Sequence, residues 1–158
     1  MAVLAIGALG TWLRTDQLLS QTLLEDEWHS IHQVIRSAPR QFLFSLGVAD
    51  YSIPLTLLYW GMAETVGLSE LGMRLPSLLC GLGTLLVVPW ALRGRLSLQT
   101  TLLLAAMLAL SPLLVGYSQM ARPYALTLPL TIGALALAHA ATSAQSVRWR
   151  FAIPYGWM

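Results

Sequence analysis

The sequence contains few charged residues and almost no cysteine. Charged side chains make up 10% of the 158 residues, against 56% hydrophobic ones, and the mean hydropathy is +0.66. This leaves too little polar surface to coat a water-soluble domain of that length. The single cysteine, Cys80, can form no disulfide within the chain, and its apolar neighbours predict a small packed hydrophobe.

Acidic residues are missing from the second half of the chain. All seven acids lie before residue 71, and arginines carry the whole charge of residues 71–158. The linkers at residues 93–95 and 148–150 are therefore basic without acidic compensation. The positive-inside rule predicts that both linkers are cytoplasmic.

Three long apolar runs predict membrane-spanning helices. Residues 75–92, 96–117 and 123–142 contain no charged side chain, and each approaches the roughly 20 residues that a helix needs to cross a bilayer. Residues 1–13 form a shorter run, which we interpret as a first span. A secretory signal peptide is disfavoured there, because no basic residue precedes Arg14.

The predicted fold is an all-α polytopic transmembrane helix bundle of about four spans. Residues 14–74 form a large extracytoplasmic first loop that contains juxtamembrane helices, and residues 143–158 form a cytoplasmic tail or the start of a further span. Within the loop, residues 53–67 are apolar but include Glu64 and number only about 15. We interpret them as an interfacial helix. The alternative, a short span, would invert the topology of everything downstream.

A cluster of acids and histidines follows the first apolar run. Glu25, Asp26 and Glu27 precede His29 and His32 at helical spacing. Acids at a helix start are stabilised by the helix dipole, which explains them without any function. The functional interpretation is a carboxylate just outside the membrane that acts as a general base. A metal site built from Asp26, His29 and His32 is a weaker alternative, because no further ligand is evident.

A second polar group, residues 117–124 with the sequence YSQMARPY, separates two of the apolar runs. Its Arg122 would lie at the outer end of two spans, where an arginine can bind a phosphate in bidentate fashion. The alternative is an ordinary interfacial arginine beside the tyrosines of an aromatic belt. Residues 50–55 (DYSIPL) and residues 74–77 (RLPS) lie on the same predicted face.

Together these stretches resemble the polytopic GT-C glycosyltransferases that use lipid-phosphate sugar donors, including the protein mannosyltransferases and the aminoarabinose transferases. Asp26 and Glu27 look like the family's DE motif, and residues 50–55 like its D-x-x-P-P-L-type segment. Residues 70–77 (ELGMRLPS) are similar to its s-E-x-x-x-R-L-P-S element, and residues 117–124 to its Y-S-Q-E-A-R-P-Y element. The resemblance covers nearly the whole chain, which would correspond to the N-terminal part of a protein with more spans.

Two positions depart from the family pattern. Met120 stands where a glutamate is usual, and Ile53 stands where a second proline is common. The role of that glutamate, in donor or metal binding, is therefore not carried over to this chain.

The resemblance implies inverting transfer of a sugar from a polyprenyl phosphate at the outer face of the cytoplasmic membrane. The acceptor would be a hydroxyl group of a protein, a lipid or a polysaccharide, and neither a cofactor nor a nucleic acid is implied. Asp26 would be the catalytic base, accompanied by Glu27, and Arg122 and Arg74 would bind the donor phosphate. The residues expected to bind substrate are Asp50, His29, Tyr117, Gln119 and Tyr124.

The alternative function is a non-catalytic membrane protein, such as a transporter fragment or an assembly subunit that binds a lipid-linked substrate. Transporters place ionisable residues within their spans. In this chain, His139 is the one such residue that we find in the three long apolar runs, and it lies near a predicted inner end. The acids lie in the first loop instead. That distribution favours chemistry at the membrane surface.

Overall fold

The computed structural model describes residues 1–18, 20, 23, 27–36, 41 and 52–152, the side chains of residues 29, 30, 140 and 143–152 excepted. Its regular secondary structure within these ranges is entirely helical, which confirms the all-α prediction there. The helices of the described ranges are α1 (Ala2–Thr15), α2 (Trp28–Arg36), α3 (Ile53–Thr65), α4 (Glu70–Leu92), α5 (Leu98–Leu110), α6 (Pro112–Gln119) and α7 (Tyr124–Ala152).

Helix α4 is the central element and begins earlier than the apolar run predicts. The Ser69 hydroxyl accepts a hydrogen bond from the Gly72 N–H at 3.1 Å, and Glu70 lies in the first turn. Both features stabilise a helix start, so the helix extends beyond its apolar part. At 23 residues α4 is long and apolar enough to cross a membrane.

The apolar run at residues 96–117 is divided into two helices. Helices α5 and α6 meet at an angle of 51° on either side of Ser111. The Ser111 hydroxyl accepts a hydrogen bond from the Leu114 N–H at 3.4 Å, and Pro112, which has no N–H, occupies the first turn of α6. The bend therefore lies at Pro112, and the bent pair passes as one span by length and composition.

The other apolar helices are shorter. Helix α1 has 14 residues, and the apolar part of α7 is Tyr124–His139. Among the described residues, one helix, or two when the bent pair counts as one span, is long and apolar enough to cross a membrane.

The helices place two different sets of residues at the two ends of the bundle. Arg14, near the end of α1, binds carbonyl groups near the end of α5, so these helices run in the same direction. Helix α4 runs the opposite way, because Arg74 near its start contacts Leu18, which follows α1. We call the end that holds Arg74 the cluster end, and the end that holds the α4–α5 linker the Arg93 end.

Helices α2 and α3 pack together at the cluster end. Ile31 of α2 joins Leu55 and Tyr59 of α3 in a buried group that also includes Met73 and Ala121. Helix α3 ends where Gly67 adopts a positive φ of 80° and its N–H donates to the Met62 carbonyl at 2.8 Å. The two helices therefore cover the start of α4.

The distribution of side chains is the reverse of that in a water-soluble bundle. Among the eight largest fully buried side chains of the described residues, Leu55 is the only aliphatic one. Large apolar side chains are exposed along every long helix, for example Leu4, Leu79, Leu103 and Leu130. Exposed apolar surface of this extent indicates an apolar environment or partner surfaces around the bundle.

Candidate functional site

The polar cluster at the cluster end is organised around Glu27, which lies directly before α2. Its side chain is only 2% exposed. Oε1 accepts a hydrogen bond from the Ala121 N–H at 2.5 Å and lies 3.6 Å from Nε of Arg74. A carboxylate this deeply buried requires such partners, because an unpaired charge would cost several kcal/mol to desolvate. Glu27 therefore ties the start of α2 to α4 and to the segment before α7.

Arg74 is the buried cation of this cluster. Its side chain is 1% exposed, and besides the ion pair with Glu27 it donates from one terminal nitrogen to the Leu18 carbonyl at 2.6 Å. Arginine suits this position because its fork of donors can serve a carboxylate and a carbonyl group together. The guanidinium group thus joins α4 to the segment that follows α1.

Arg122 lies next to the residue that binds Glu27. Its side chain is 5% exposed, donates to the Tyr124 hydroxyl at 2.9 Å and lies 5.2 Å from the centre of the Tyr124 ring. The Arg122 carbonyl accepts from the Ser77 hydroxyl at 2.8 Å, and the rings of Tyr117 and Tyr124 are 4.7 Å apart. These contacts fix the turn between α6 and α7 against α4.

Tyr59 of α3 lies beside the polar cluster. Its hydroxyl donates to the Met73 carbonyl at 2.6 Å. Burial, followed by the nearby negative charge of Glu27, raises the pKa of this phenol above its ordinary value. The hydroxyl thus serves as a hydrogen-bond donor to α4.

Gln119 caps α1 in this structure. Its amide nitrogen donates to the carbonyl groups of Leu13 and Asp16, each at 3.0 Å. These carbonyls belong to the end of α1, where the helix leaves backbone acceptors unsatisfied. The side-chain amide of Gln119 thus contacts the backbone at the end of α1.

Arg14 is a buried polar residue that sequence reasoning did not select. It donates to the Gly10 carbonyl at 2.9 Å, to the Ala109 carbonyl at 3.3 Å and to the Leu108 carbonyl at 2.7 Å. The last two belong to the end of α5, whose partial negative charge a cation stabilises. The only signal in the sequence was a lone arginine at the end of an apolar helix.

A small crevice lies beside Arg14, between α4, α6 and α7. It measures about 10 Å³ and is lined by Thr84, Tyr117 and Ser118 among others. That volume approaches the least that can hold one water molecule. The crevice is too small for a substrate.

The structure brings six of the predicted site residues to the same end of the bundle. These residues are Glu27, Arg74, Tyr117, Gln119, Arg122 and Tyr124. His29 lies on α2, and Asp26 and Asp50 lie outside the described residues. Within the described ranges, no group of three histidine, cysteine, aspartate or glutamate residues could hold a metal ion.

Comparison of the chain with family models, with curated proteins and with solved structures finds no match. The polar cluster can hold one buried carboxylate in place and has a second arginine beside it, next to paired tyrosine rings.

Proposed function

We propose that this chain is part of a membrane glycosyltransferase that transfers a sugar, with inversion, from a polyprenyl-phosphate carrier to an acceptor hydroxyl group. One observation carries the proposal. Three stretches that resemble separate motifs of the GT-C family converge on Glu27, whose carboxylate contacts Arg74 and the N–H that precedes Arg122. The motifs are widely separated in the sequence, yet one ion pair and one hydrogen bond join them.

The proposal includes a multi-pass topology in the cytoplasmic membrane. The four spans would be α1, α4, the bent pair α5–α6, and the apolar part of α7. Support comes from the exposed leucines of these helices and from the burial of Arg14, Arg74 and Glu27 between them. The cluster end would face outward, because the Arg93 end carries arginines without acids and so fits the cytoplasmic side.

In the proposed reaction, Asp26 removes the proton from the acceptor hydroxyl group. The resulting oxygen nucleophile attacks the anomeric carbon while the bond from that carbon to the phosphate oxygen breaks, so the polyprenyl phosphate leaves with the electron pair. Arg122 stabilises the phosphate charge that develops, as a positioned cation does in phosphate transfer sites. Asp50 and His29 are proposed to bind the sugar or the acceptor.

Glu27 and Arg74 have a supporting part in this proposal. Both side chains are buried and engaged with each other and with the backbone. Glu27 directly follows the proposed base Asp26 in the sequence, and Glu27 itself is held by Arg74 and the Ala121 N–H. Arg74 fixes Glu27, and the donor phosphate is expected to contact Arg122 first.

The experiment is a transfer assay on the native gene product that contains this chain. Membranes holding the protein are supplied with radiolabelled polyprenyl-phosphate sugars and with acceptors from native membranes. Asp26→Asn should abolish transfer and leave insertion and thermal stability unchanged. The matched control is Glu64→Gln, because Glu64 is an exposed acid on α3 at the same end.

The outcomes separate the alternatives. Transfer that persists in Asp26→Asn removes Asp26 from the mechanism. Donor binding by the wild-type protein without transfer from any donor overturns the enzyme proposal in favour of a non-catalytic protein that binds a lipid-linked substrate.

A further inference from the structure

A large groove lies at the Arg93 end, away from the polar cluster. It is formed by α1, α4 and α5 and has a volume of about 660 Å³. Its lining is mainly apolar and includes Val3, Leu4, Leu86, Pro89 and Leu98. A volume of this size falls within the range of about 300–1,000 Å³ typical of small-molecule sites.

The rim of the groove is cationic. Arg93 and Trp90 both line it, and the Arg93 guanidinium carbon lies 4.8 Å from the centre of the Trp90 ring. Arg95 follows two residues later, and no acid occurs anywhere in residues 71–158. Helix α5 and the end of α4 therefore offer no carboxylate to neutralise this rim.

The groove combines an apolar lining with an arginine and a tryptophan at its rim, and this combination fits an amphiphile. Tryptophan is enriched at the headgroup level of bilayers, and arginine there attracts anionic lipid headgroups. The matching ligand has an apolar chain and an anionic head.

A second copy of this chain fits the groove poorly. A twofold dimer through the groove would bring Arg93 and Arg95 of each copy towards the same residues of the other, because such an interface pairs one patch with itself. Like charges in an interface disfavour association. The charge distribution thus favours an anionic amphiphile over self-association.

We propose that the groove binds an anionic phospholipid, with an acyl chain between α1 and α4 and its phosphate group at Arg93 and Trp90. The inference rests on the membrane placement in the proposed function and is independent of glycosyl transfer. The lipid phosphate would lie at the bundle end opposite to Arg122. The bound phospholipid would fill space between α1 and α4 and thereby stabilise the bundle.

The test measures lipid binding to the full chain purified in a neutral detergent. Native mass spectrometry counts bound lipid, and thermal unfolding reports stabilisation, with phosphatidylglycerol, phosphatidylcholine and polyprenyl phosphate as separate probes. We expect one phosphatidylglycerol to bind and to raise the unfolding temperature. Phosphatidylcholine should bind about fivefold more weakly, because one cationic contact to an anionic headgroup contributes on that scale.

Two variants test the two halves of the site, and each has a matched control. Arg93→Gln removes the rim charge, and Ala8→Phe fills the groove, since Ala8 lines it. Each should weaken phosphatidylglycerol binding about fivefold or more. The controls are Arg36→Gln on α2 and Ala134→Phe on α7, both at exposed positions outside the groove.

Several outcomes would overturn the inference. Phosphatidylcholine could bind as tightly as phosphatidylglycerol, or Ala8→Phe could bind phosphatidylglycerol as tightly as the wild type does. The protein could also prefer polyprenyl phosphate in a way that depends on Arg93, or form a dimer that Ala8→Phe dissociates. The assay contains no sugar donor, so its result is separate from glycosyl transfer. Phosphatidylglycerol binding together with absent transfer would count against the proposed enzyme alone.

Discussion

At the scale of single residues, the cluster depends on charges that are buried in pairs. Glu27 and Arg74 are both almost inaccessible, and each also contacts backbone groups. Removing one partner of such a pair leaves the other charge buried and uncompensated. The loss is larger than the net contribution of the intact pair.

Glu27→Ala should therefore lower the free energy of unfolding by about 3–5 kcal/mol. Glu27→Gln keeps an acceptor for the Ala121 N–H and should cost less. The measurement is thermal or denaturant unfolding of the purified protein in detergent. Glu64→Ala is the matched control, because this exposed glutamate should change stability by less than about 0.5 kcal/mol. Equal effects of the Glu27 and Glu64 alanine variants would contradict the buried-pair interpretation.

Tyr59 makes the stability of the folded protein depend on pH in the alkaline range. Because burial and Glu27 raise the pKa of Tyr59, the unfolded chain loses this proton near pH 10 while the folded chain keeps it. The contribution to stability is complete below about pH 10 and is lost as the pH rises further. Tyr59→Phe should therefore lose less free energy of unfolding than the wild type does as the pH rises. Measuring the free energy of unfolding at about pH 9 and about pH 11 checks this, and equal losses in the two proteins would refute it.

The sequence predicts some of these residues and misses others for a physical reason. Glu27, Arg74 and Arg122 stand out because charged residues are rare in this chain and lie in motif-like stretches. Arg14 does not stand out, because its role depends on where α5 ends, 95 residues later in the chain. The contacts of Gln119 could not be predicted for the same reason. The Leu13 and Asp16 carbonyl groups can accept its hydrogen bonds because α1 ends there.

At the scale of the helices, the sequence predicts helical type well and helix limits less well. Long apolar runs and Pro112 indicate the helices and the bend between α5 and α6. The start of α4 at Glu70 depends on the Ser69 cap, which lies outside the apolar run. The close contact between α4 and α6 was not predictable, because it depends on how the bend directs α6.

That contact takes place at Gly81. A Cβ atom added there would lie 2.7 Å from the Cβ of Ser118, whereas one added at Gly83 would meet nothing within 4 Å. Gly81→Ala should therefore destabilise the protein by about 1–3 kcal/mol through overpacking. Gly83→Ala, in the same helix, should be neutral or stabilise by up to about 1 kcal/mol, because alanine favours the helix. The free energy of unfolding of both variants, measured in detergent, tests this prediction. Similar changes in the two variants would show that α6 does not approach α4 here.

At the scale of the whole molecule, the arrangement of the helices is consistent with the charge pattern. The acids of the described residues and the buried arginines lie towards the cluster end, whereas Arg93 and Arg95 lie at the other. In the proposed multi-pass topology, the positive-inside rule would place the Arg93 end on the cytoplasmic side. The sequence alone left the status of residues 53–67 open between an interfacial helix and a short span. In the structure, α3 buries Leu55 and Tyr59 against α2 and α4.

Cysteine labelling tests the orientation directly, because Cys80 is the only cysteine and can be replaced by alanine. Two single-cysteine variants are then compared: Ser20→Cys after α1, and Gly94→Cys between the two linker arginines. Both positions are exposed, and an added Cβ at Gly94 meets nothing within 4 Å. A membrane-impermeant maleimide should label Ser20→Cys in intact cells and Gly94→Cys only after permeabilisation. Because α4 runs opposite to α1, Ser20 and Gly94 lie at opposite ends of the bundle. The reverse pattern, with Gly94→Cys labelled in intact cells and Ser20→Cys only after permeabilisation, would invert the topology and place the Arg93 groove on the outer face. Labelling of both positions in intact cells is the result expected if α3 is a span, and it would contradict the antiparallel packing of α1 and α4.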